Sequence, residues 1–121
     1  MDDDDTNNTS IVLRIEYGET SFLFTGDAER IVEQEILNQG VEIQSTVLKV
    51  GHHGSESSTS YLWLREVMPE YAVISVGKGN SYGHPHTEVL ERFSDAGIVV
   101  YRTDKQGTVV LKTDGEKFVY V

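Results

Sequence analysis

Hydrophobic and polar positions near the start of the chain predict two neighbouring strands. Ile11, Leu13, Ile15 and Tyr17 alternate with Val12, Arg14 and Glu16, the period of a strand with one covered face. The run SFLF that follows is apolar on both faces, which is typical of a more central strand. A turn at residues 17–20 joins the two predicted strands.

Three later segments have helical spacing, and each follows an apolar strand pattern. The predicted helices lie in AERIVEQEILNQG, in YLWLREVMP and in TEVLERFSDAG. Gly40 and Gly97 are helix stops, and Thr87 is predicted as the N-cap of the third helix. The strands before the second and third helices are STVLKV and YAVISVG, and the chain ends in IVVYRTD, GTVVLKT and KFVYV. These last three segments predict a β-meander with a turn at Asp114-Gly115.

This order of elements predicts an α/β fold with a mixed β-sheet and flanking helices. Three strand ends lead into the loops TGD, GHHGSESSTS and GKGNSYGHPH, and all four histidines lie in the second and third loops. Ligands of open α/β sheets bind beyond the carboxyl ends of the strands. If the strands are parallel, Asp27, His52, His53, His84 and His86 converge at one edge.

Aspartate and histidine together are a donor set that suits Zn²⁺ or Mn²⁺. A carboxylate can bridge two metal ions about 3.5–4 Å apart, which activate a water and hold a phosphoryl oxygen. Simpler interpretations exist for each residue. On its position alone Asp27 is a helix N-cap, His52 and His53 are exposed loop residues, and a turn can direct His84 and His86 apart. We expect one of the latter two, His84, to face the site.

The charge balance argues against direct binding of a polyanion. The chain has 20 acidic and 10 basic residues and a net charge of −10, whereas phosphate backbones are held by Lys and Arg. Nucleic-acid binding therefore requires metal ions, a local basic patch or basic surface elsewhere. We expect the acidic arm at residues 1–8 to be disordered. Cysteine is absent, which excludes disulfides and thiolate ligands.

Four stretches of the sequence resemble a known family. NNTSIVLRIEYGETSFLFTGDAE, LKVGHHGSESSTS, AVISVGKGNSYGHPHTEVLERF and GIVVYRTDKQGTVVL resemble the carboxy-terminal half of the metallo-β-lactamase-like domain of ComEC-type competence proteins, which internalise DNA. The resemblance implies half of an αββα sandwich with a dinuclear, usually zinc, site. It implies that Asp27 is the bridging carboxylate and His53 a metal ligand. His52 is the alternative ligand or a catalytic neighbour on the substrate side, and His84 a catalytic residue that contacts a phosphoryl oxygen or donates a proton.

One departure from the family is decisive for the domain organisation. The H-x-H-x-D-H motif that supplies the first metal ligands of the superfamily is absent from the chain. We therefore expect residues 9–121 to form a carboxy-terminal subdomain whose partner is the amino-terminal half of the same domain. A half without its partner exposes a face that is otherwise covered, and a dimer through this face is the alternative.

The resemblance implies a function, and the residues leave alternatives. The expected parent is a metal-dependent phosphodiesterase of the nuclease type that acts on DNA, in a soluble, extracytoplasmic domain of a bacterial membrane protein. The isolated chain is expected to be inactive. The alternatives are a non-catalytic binding or assembly module and a hydrolase of small phosphodiesters.

Overall fold

A computed structural model gives the fold of most of the chain. It describes residues 12–26, 28–54, 58–76 and 83–120, without the side chains of His52 and His53. The predicted acidic arm at residues 1–8 and the side chain of Asp27 lie outside the described residues. The division into an arm and a subdomain therefore stays a prediction.

The main sheet has five strands in the order β1-β2-β3-β4-β5. Their bounds are β1 Leu13–Tyr17, β2 Thr20–Phe24, β3 Val47–Lys49, β4 Tyr71–Ile74 and β5 Val99–Arg102. β1 is antiparallel to β2, while each pair from β2 to β5 is parallel. The predicted mixed sheet is confirmed, and its parallel part directs three strand–helix loops to one edge.

Helices connect the parallel strands. They are α1 Arg30–Gln39, α2 Tyr61–Val67, α3 Thr87–Ala96 and the one-turn α4 Thr103–Gln106, and a 3₁₀ turn lies at Gly51–Gly54. Gly40 ends α1 in the left-handed conformation, and the Ser60 hydroxyl caps α2 by accepting from the amide of Trp63 at 3.2 Å. The predicted N-cap of α3 is wrong by one residue, because His86 has the extended cap conformation and Thr87 is already helical.

One face of the sheet packs against the helices and forms the core. Leu23, Leu48, Ala72 and Ile74 lie on this face in adjacent strands, and all are buried. The helices contribute the buried residues Trp63, Val67, Val89 and Phe93. The interior thus lies between β2–β4 and the inward faces of α2 and α3, directly beneath the loops at the carboxyl edge.

The predicted β-meander is wrong. β5 belongs to the main sheet and is parallel to β4, because a strand reached through a crossover helix joins its predecessor in parallel. α4 then redirects the chain, and its first residue, Thr103, exchanges two hydrogen bonds with the backbone of Val76, at 2.8 and 2.9 Å. Of the three predicted meander strands, β6 Leu111–Thr113 and β7 Phe118–Tyr120 pair as a hairpin, in a separate two-stranded sheet around the predicted turn.

The hairpin covers part of the second face of the main sheet. Phe118 contacts Phe22 edge to face with ring centroids 4.6 Å apart, and Tyr120 stacks on Tyr101 at 4.4 Å. The register places Phe22 and Tyr101 on the face opposite the helices. This face remains partly uncovered, with exposed apolar side chains at Leu13, Ile15, Tyr17, Phe24 and Val99.

Within the described ranges, no helix has the length and apolar character needed to cross a lipid bilayer. The longest, α1 and α3, have 10 residues each.

We expect Phe118→Ala to destabilise the protein by about 3 kcal/mol, since it removes a buried aromatic contact and leaves a cavity. Its side chain is 5% exposed, whereas that of the adjacent Val119 is 52% exposed. Val119→Ala is the matched control and should cost less than about 0.5 kcal/mol. Urea denaturation measures both. Equal losses would contradict the assignment of Phe118 as the anchor of the hairpin.

Candidate metal centre

The GHHG turn leaves the carboxyl end of β3 and lies between the other two loops. Its entry is fixed by the amide of Val50, which donates to the carbonyl of Val73 on β4 at 2.9 Å. Residues 51–54 then form the 3₁₀ turn, so His52 and His53 have a regular backbone position between two buried glycines. The turn is therefore part of the sheet edge.

Gly51 brings this turn against the TGD loop. A Cβ atom on Gly51 would lie 2.8 Å from Thr25 Oγ1 and 3.4 Å from the carbonyl oxygens of Gly26 and Ala28. The Thr25 hydroxyl donates to the carbonyl of Lys49 at 2.9 Å and ties the two strand ends together. Glycine is required at this position because a Cβ atom would overlap with the Thr25 hydroxyl.

Gly54 brings the turn against the third loop. A Cβ atom there would lie 2.5 Å from Pro85 Cβ, and the amide of His86 donates to the carbonyl of Gly54 at 2.9 Å. All three strand-end loops therefore meet at the GHHG turn.

His84 and His86 lie side by side in the third loop. Their ring centroids are 4.8 Å apart at an interplanar angle of 72°. The interpretation that a turn directs the rings apart is wrong, because Pro85 between them is buried against Gly54 and leaves both rings partly exposed beside each other. His84 thus has its ring position limited by a neighbouring imidazole.

The predicted ligand set is only partly described. Asp27 and the side chains of His52 and His53 lie outside the described residues, so their roles stay predictions. Among the side chains that are described, no group of three or more His, Asp or Glu residues is placed to hold a metal ion.

The backbone around Asp27 bears on the alternative in which this residue caps a helix. The amide of Ala28 donates to the carbonyl of Thr25 at 3.0 Å, which closes a turn across the TGD loop. The N-cap of α1 is Glu29, and the helix begins at Arg30. The capping interpretation of Asp27 is therefore wrong, because the helix begins too late for it.

Two charged residues that the sequence analysis did not select lie behind the loops. Glu33 on α1 is 2% exposed and accepts from the amides of Thr59 and Ser60; Arg92 on α3 is 7% exposed and donates to the carbonyls of Ser58 and Thr59. Burial raises the pKa of the Glu33 carboxyl, while the Ser60 and Thr59 amides act in the opposite direction. The sequence signal for these two residues is a charged side chain next to an inward-facing apolar one on a helix: Glu33 follows Val32, and Arg92 precedes Phe93.

This geometry defines a class of protein: an α/β domain in which Asp- and His-bearing loops share the carboxyl edge of a parallel sheet. A sequence model of the metallo-β-lactamase superfamily matches residues 4–78, and the chain belongs to this superfamily. The fold, a mixed sheet flanked by helices, is that of part of such a domain.

Curated relatives confirm the resemblance to competence proteins. The chain is 47% identical over 103 residues to ComE operon protein 3 of Bacillus subtilis, covering 85% of this chain and 13% of that protein. It is 42% identical over 106 residues to competence protein ComA of Neisseria gonorrhoeae, covering 87% and 15%. It is 41% identical over 103 residues to recombination protein 2 of Haemophilus influenzae, covering 85% and 13%. The chain thus spans less than a sixth of these relatives.

We expect Gly54→Ala to destabilise the protein more than Gly97→Ala. Both glycines have positive φ, 84° and 70°, so each substitution has a backbone cost of about 1–2 kcal/mol. Gly97 has nothing within 4 Å of its Cβ position, whereas Gly54 meets Pro85, and the overlap adds about 1–3 kcal/mol. Chemical denaturation gives the difference. Equal losses would show that the two loops are not in contact.

Proposed function

We propose that this chain is part of a metal-dependent phosphodiesterase domain of the nuclease type, which acts on DNA during bacterial DNA uptake. The chain carries the metal ligands that come late in the sequence of that domain. The observation that carries the proposal is the meeting of the three loops at the GHHG turn, with Gly51 against Thr25 and Gly54 against Pro85. Membership of the metallo-β-lactamase superfamily and relatives named as competence proteins support it.

The donor set fits a metal ion. A carboxylate at Asp27 and an imidazole at His53 are oxygen and nitrogen ligands of the kind that zinc binds, with manganese as the alternative. When bound, such ions polarise a phosphoryl oxygen and make water a nucleophile at neutral pH. The loop contacts bring Gly26 and Ala28, the sequence neighbours of Asp27, against Gly51 in the turn that bears His53.

The chain's own residues have separate tasks in this proposal. Asp27 and His53 would hold the metal, and His53 would have to be neutral to do so. His84 faces the substrate, where its imidazole donates a hydrogen bond to a non-bridging phosphoryl oxygen or a proton to the departing oxygen. The contact with His86 restricts the orientation of the His84 ring. His52 is the alternative ligand or a second substrate-side group.

The partly uncovered face of the sheet is a candidate surface for a partner. Leu13, Ile15, Tyr17, Phe24 and Val99 expose apolar surface on the face that carries the hairpin, and a surface of this kind is typical of an interface. We propose that the amino-terminal half of the same domain covers this face and brings the H-x-H-x-D-H motif, which this sequence lacks. A dimer of this chain is the competing occupant.

The net charge of −10 favours an alternative substrate. A small phosphodiester needs only the metal site, whereas DNA requires basic surface that this chain does not supply in bulk. A non-catalytic binding module is the further alternative. The proposed location is an extracytoplasmic domain of a membrane protein.

We expect zinc titration to perturb the loops selectively. In the wild-type protein, zinc should shift the amide signals around residues 25–28, 51–54 and 83–86 and release measurable heat. Asp27→Ala should weaken binding by more than about 10-fold, since losing a ligand exceeds the usual effect of an outer-shell change. Glu116→Gln alters an exposed carboxylate on the β6–β7 turn and is the matched control. Absence of binding, or equal binding by Asp27→Ala, would favour the module.

We expect the chain alone to hydrolyse neither single-stranded DNA nor a small phosphodiester at a significant rate with Zn²⁺ or Mn²⁺, because it supplies only part of the ligand set. Addition of a polypeptide that carries the H-x-H-x-D-H half should restore turnover, and the ratio of the two substrates then identifies the preferred one. Strong hydrolysis by the chain alone that is lost in Asp27→Ala would contradict the requirement for a second half.

A further inference from the structure

We propose that Glu33 and Arg92 are positioning residues that fix the end of the histidine loop against Ala28, which directly follows the TGD loop, and thereby set the geometry of the metal site from within the helical layer. The expected effect on metal binding rests on the proposed function, whereas the expected effect on the loop backbone does not. Neither residue needs to touch metal or substrate. They act through the backbone of residues 58–60, which ends the GHHGSESSTS loop.

Glu33 holds this backbone from the α1 side. Each of its carboxylate oxygens accepts a hydrogen bond from a different amide. Oε2 accepts from the amide of Thr59, and Oε1 accepts from that of Ser60 at 3.1 Å. A carboxylate is the side-chain group that offers two acceptor oxygens in this arrangement, and such charge-assisted bonds are stronger than neutral ones. The two amides are thereby held at a fixed separation from α1.

Arg92 holds the same backbone from the α3 side. Its Nη1 atom donates to the carbonyl of Ser58 at 3.0 Å and to that of Thr59 at 3.3 Å. The peptide groups of Thr59 are therefore bonded on one side to a buried carboxylate and on the other to a buried guanidinium. Two helices that flank different strands fix one short, irregular segment.

Ser58 connects this segment to Ala28, which directly follows the TGD loop. Its hydroxyl donates to the carbonyl of Ala28 at 2.6 Å, and the amide of Ala28 closes the turn by donating to Thr25 at 3.0 Å. A continuous set of hydrogen bonds thus runs from Arg92 through Ser58 and Ala28 to the TGD loop. A displacement of residues 58–60 would move Ala28, whose carbonyl oxygen lies 3.4 Å from the Cβ position of Gly51 in the GHHG turn.

Structural capping alone does not account for the pair. The Ser60 hydroxyl already caps α2 through the amide of Trp63, so the helix does not require Glu33 as its cap. Burial of a carboxylate and a guanidinium costs desolvation free energy, whereas burial of apolar side chains at the same positions would not. Thr59 is moreover 1% exposed with φ 58°, a conformation that a β-branched residue adopts only when its surroundings impose it. Strain of this kind is concentrated at functional sites.

The test compares four variants of the whole chain. Glu33→Gln leaves one acceptor oxygen for two amides, and Arg92→Met removes the donor. Arg92→Lys keeps a donor that can serve both carbonyls, so it tests for rescue. Val67→Ala is the matched control, because it opens the core at a buried position on α2, at the opposite end of that helix from Ser60. Each variant is measured by amide NMR and hydrogen exchange without metal, by thermal unfolding, and by zinc titration calorimetry.

We expect Glu33→Gln and Arg92→Met to weaken zinc binding about 10-fold, the usual size of an outer-shell effect. Both should shift the amide signals of Gly51 and Gly54 and speed exchange at Thr59 and Ser60. Arg92→Lys should recover most of the affinity. Val67→Ala should lower the unfolding temperature without changing zinc affinity or the two glycine signals.

Three results would overturn the proposal: wild-type affinity in Glu33→Gln and Arg92→Met, failure of Arg92→Lys to exceed Arg92→Met, or an equal loss of affinity in Val67→Ala. If the wild-type chain binds no zinc, the proposed function fails. The NMR and exchange measurements without metal then decide whether Glu33 and Arg92 position the loop. Unchanged Gly51 and Gly54 signals in Glu33→Gln then overturn the positioning role, and shifted signals support it.

Discussion

The close approach of the neighbouring loops to the two glycines of the GHHG turn is the constraint on which the site depends. Gly51 leaves no room for a Cβ atom beside Thr25, and Gly54 leaves none beside Pro85. Because the interior of a protein is closely packed, these two contacts limit the distances between the three loops, and the hydrogen bonds of the Thr25 and Ser58 hydroxyls to the carbonyls of Lys49 and Ala28 add to them.

The parallel sheet supplies the second requirement, that all three loops leave the same edge. Register between β2, β3 and β4 is set by the buried residues Leu23, Leu48 and Ala72, since a slip by one residue would turn them to the other face. The hydrophobic pattern that buries the core thus also aligns the candidate site. Packing and site geometry are in this respect one property of the sequence.

Much of this arrangement could be predicted from local patterns. The β1–β2 hairpin, the helix stops at Gly40 and Gly97 and the gathering of strand-end loops at one edge follow from periodicity and turn residues, which act over a few positions. The predicted meander was wrong because strand pairing depends on how a crossover helix returns the chain, which a local pattern does not contain. Glu33 and Arg92 were missed for a similar reason: their partners are backbone groups 26–34 positions away in the sequence.

The contact between the first turn and the last hairpin has a consequence for how the molecule folds. The hydroxyls of Thr20 and Thr113 lie 2.8 Å apart, although 93 positions separate them, so this contact closes a loop of nearly the entire described chain. The entropic cost of such closure grows only with the logarithm of loop length, but contacts between distant positions slow the search for the native state. This contact therefore raises the contact order of the fold, and with it the time that we expect the chain to need for folding.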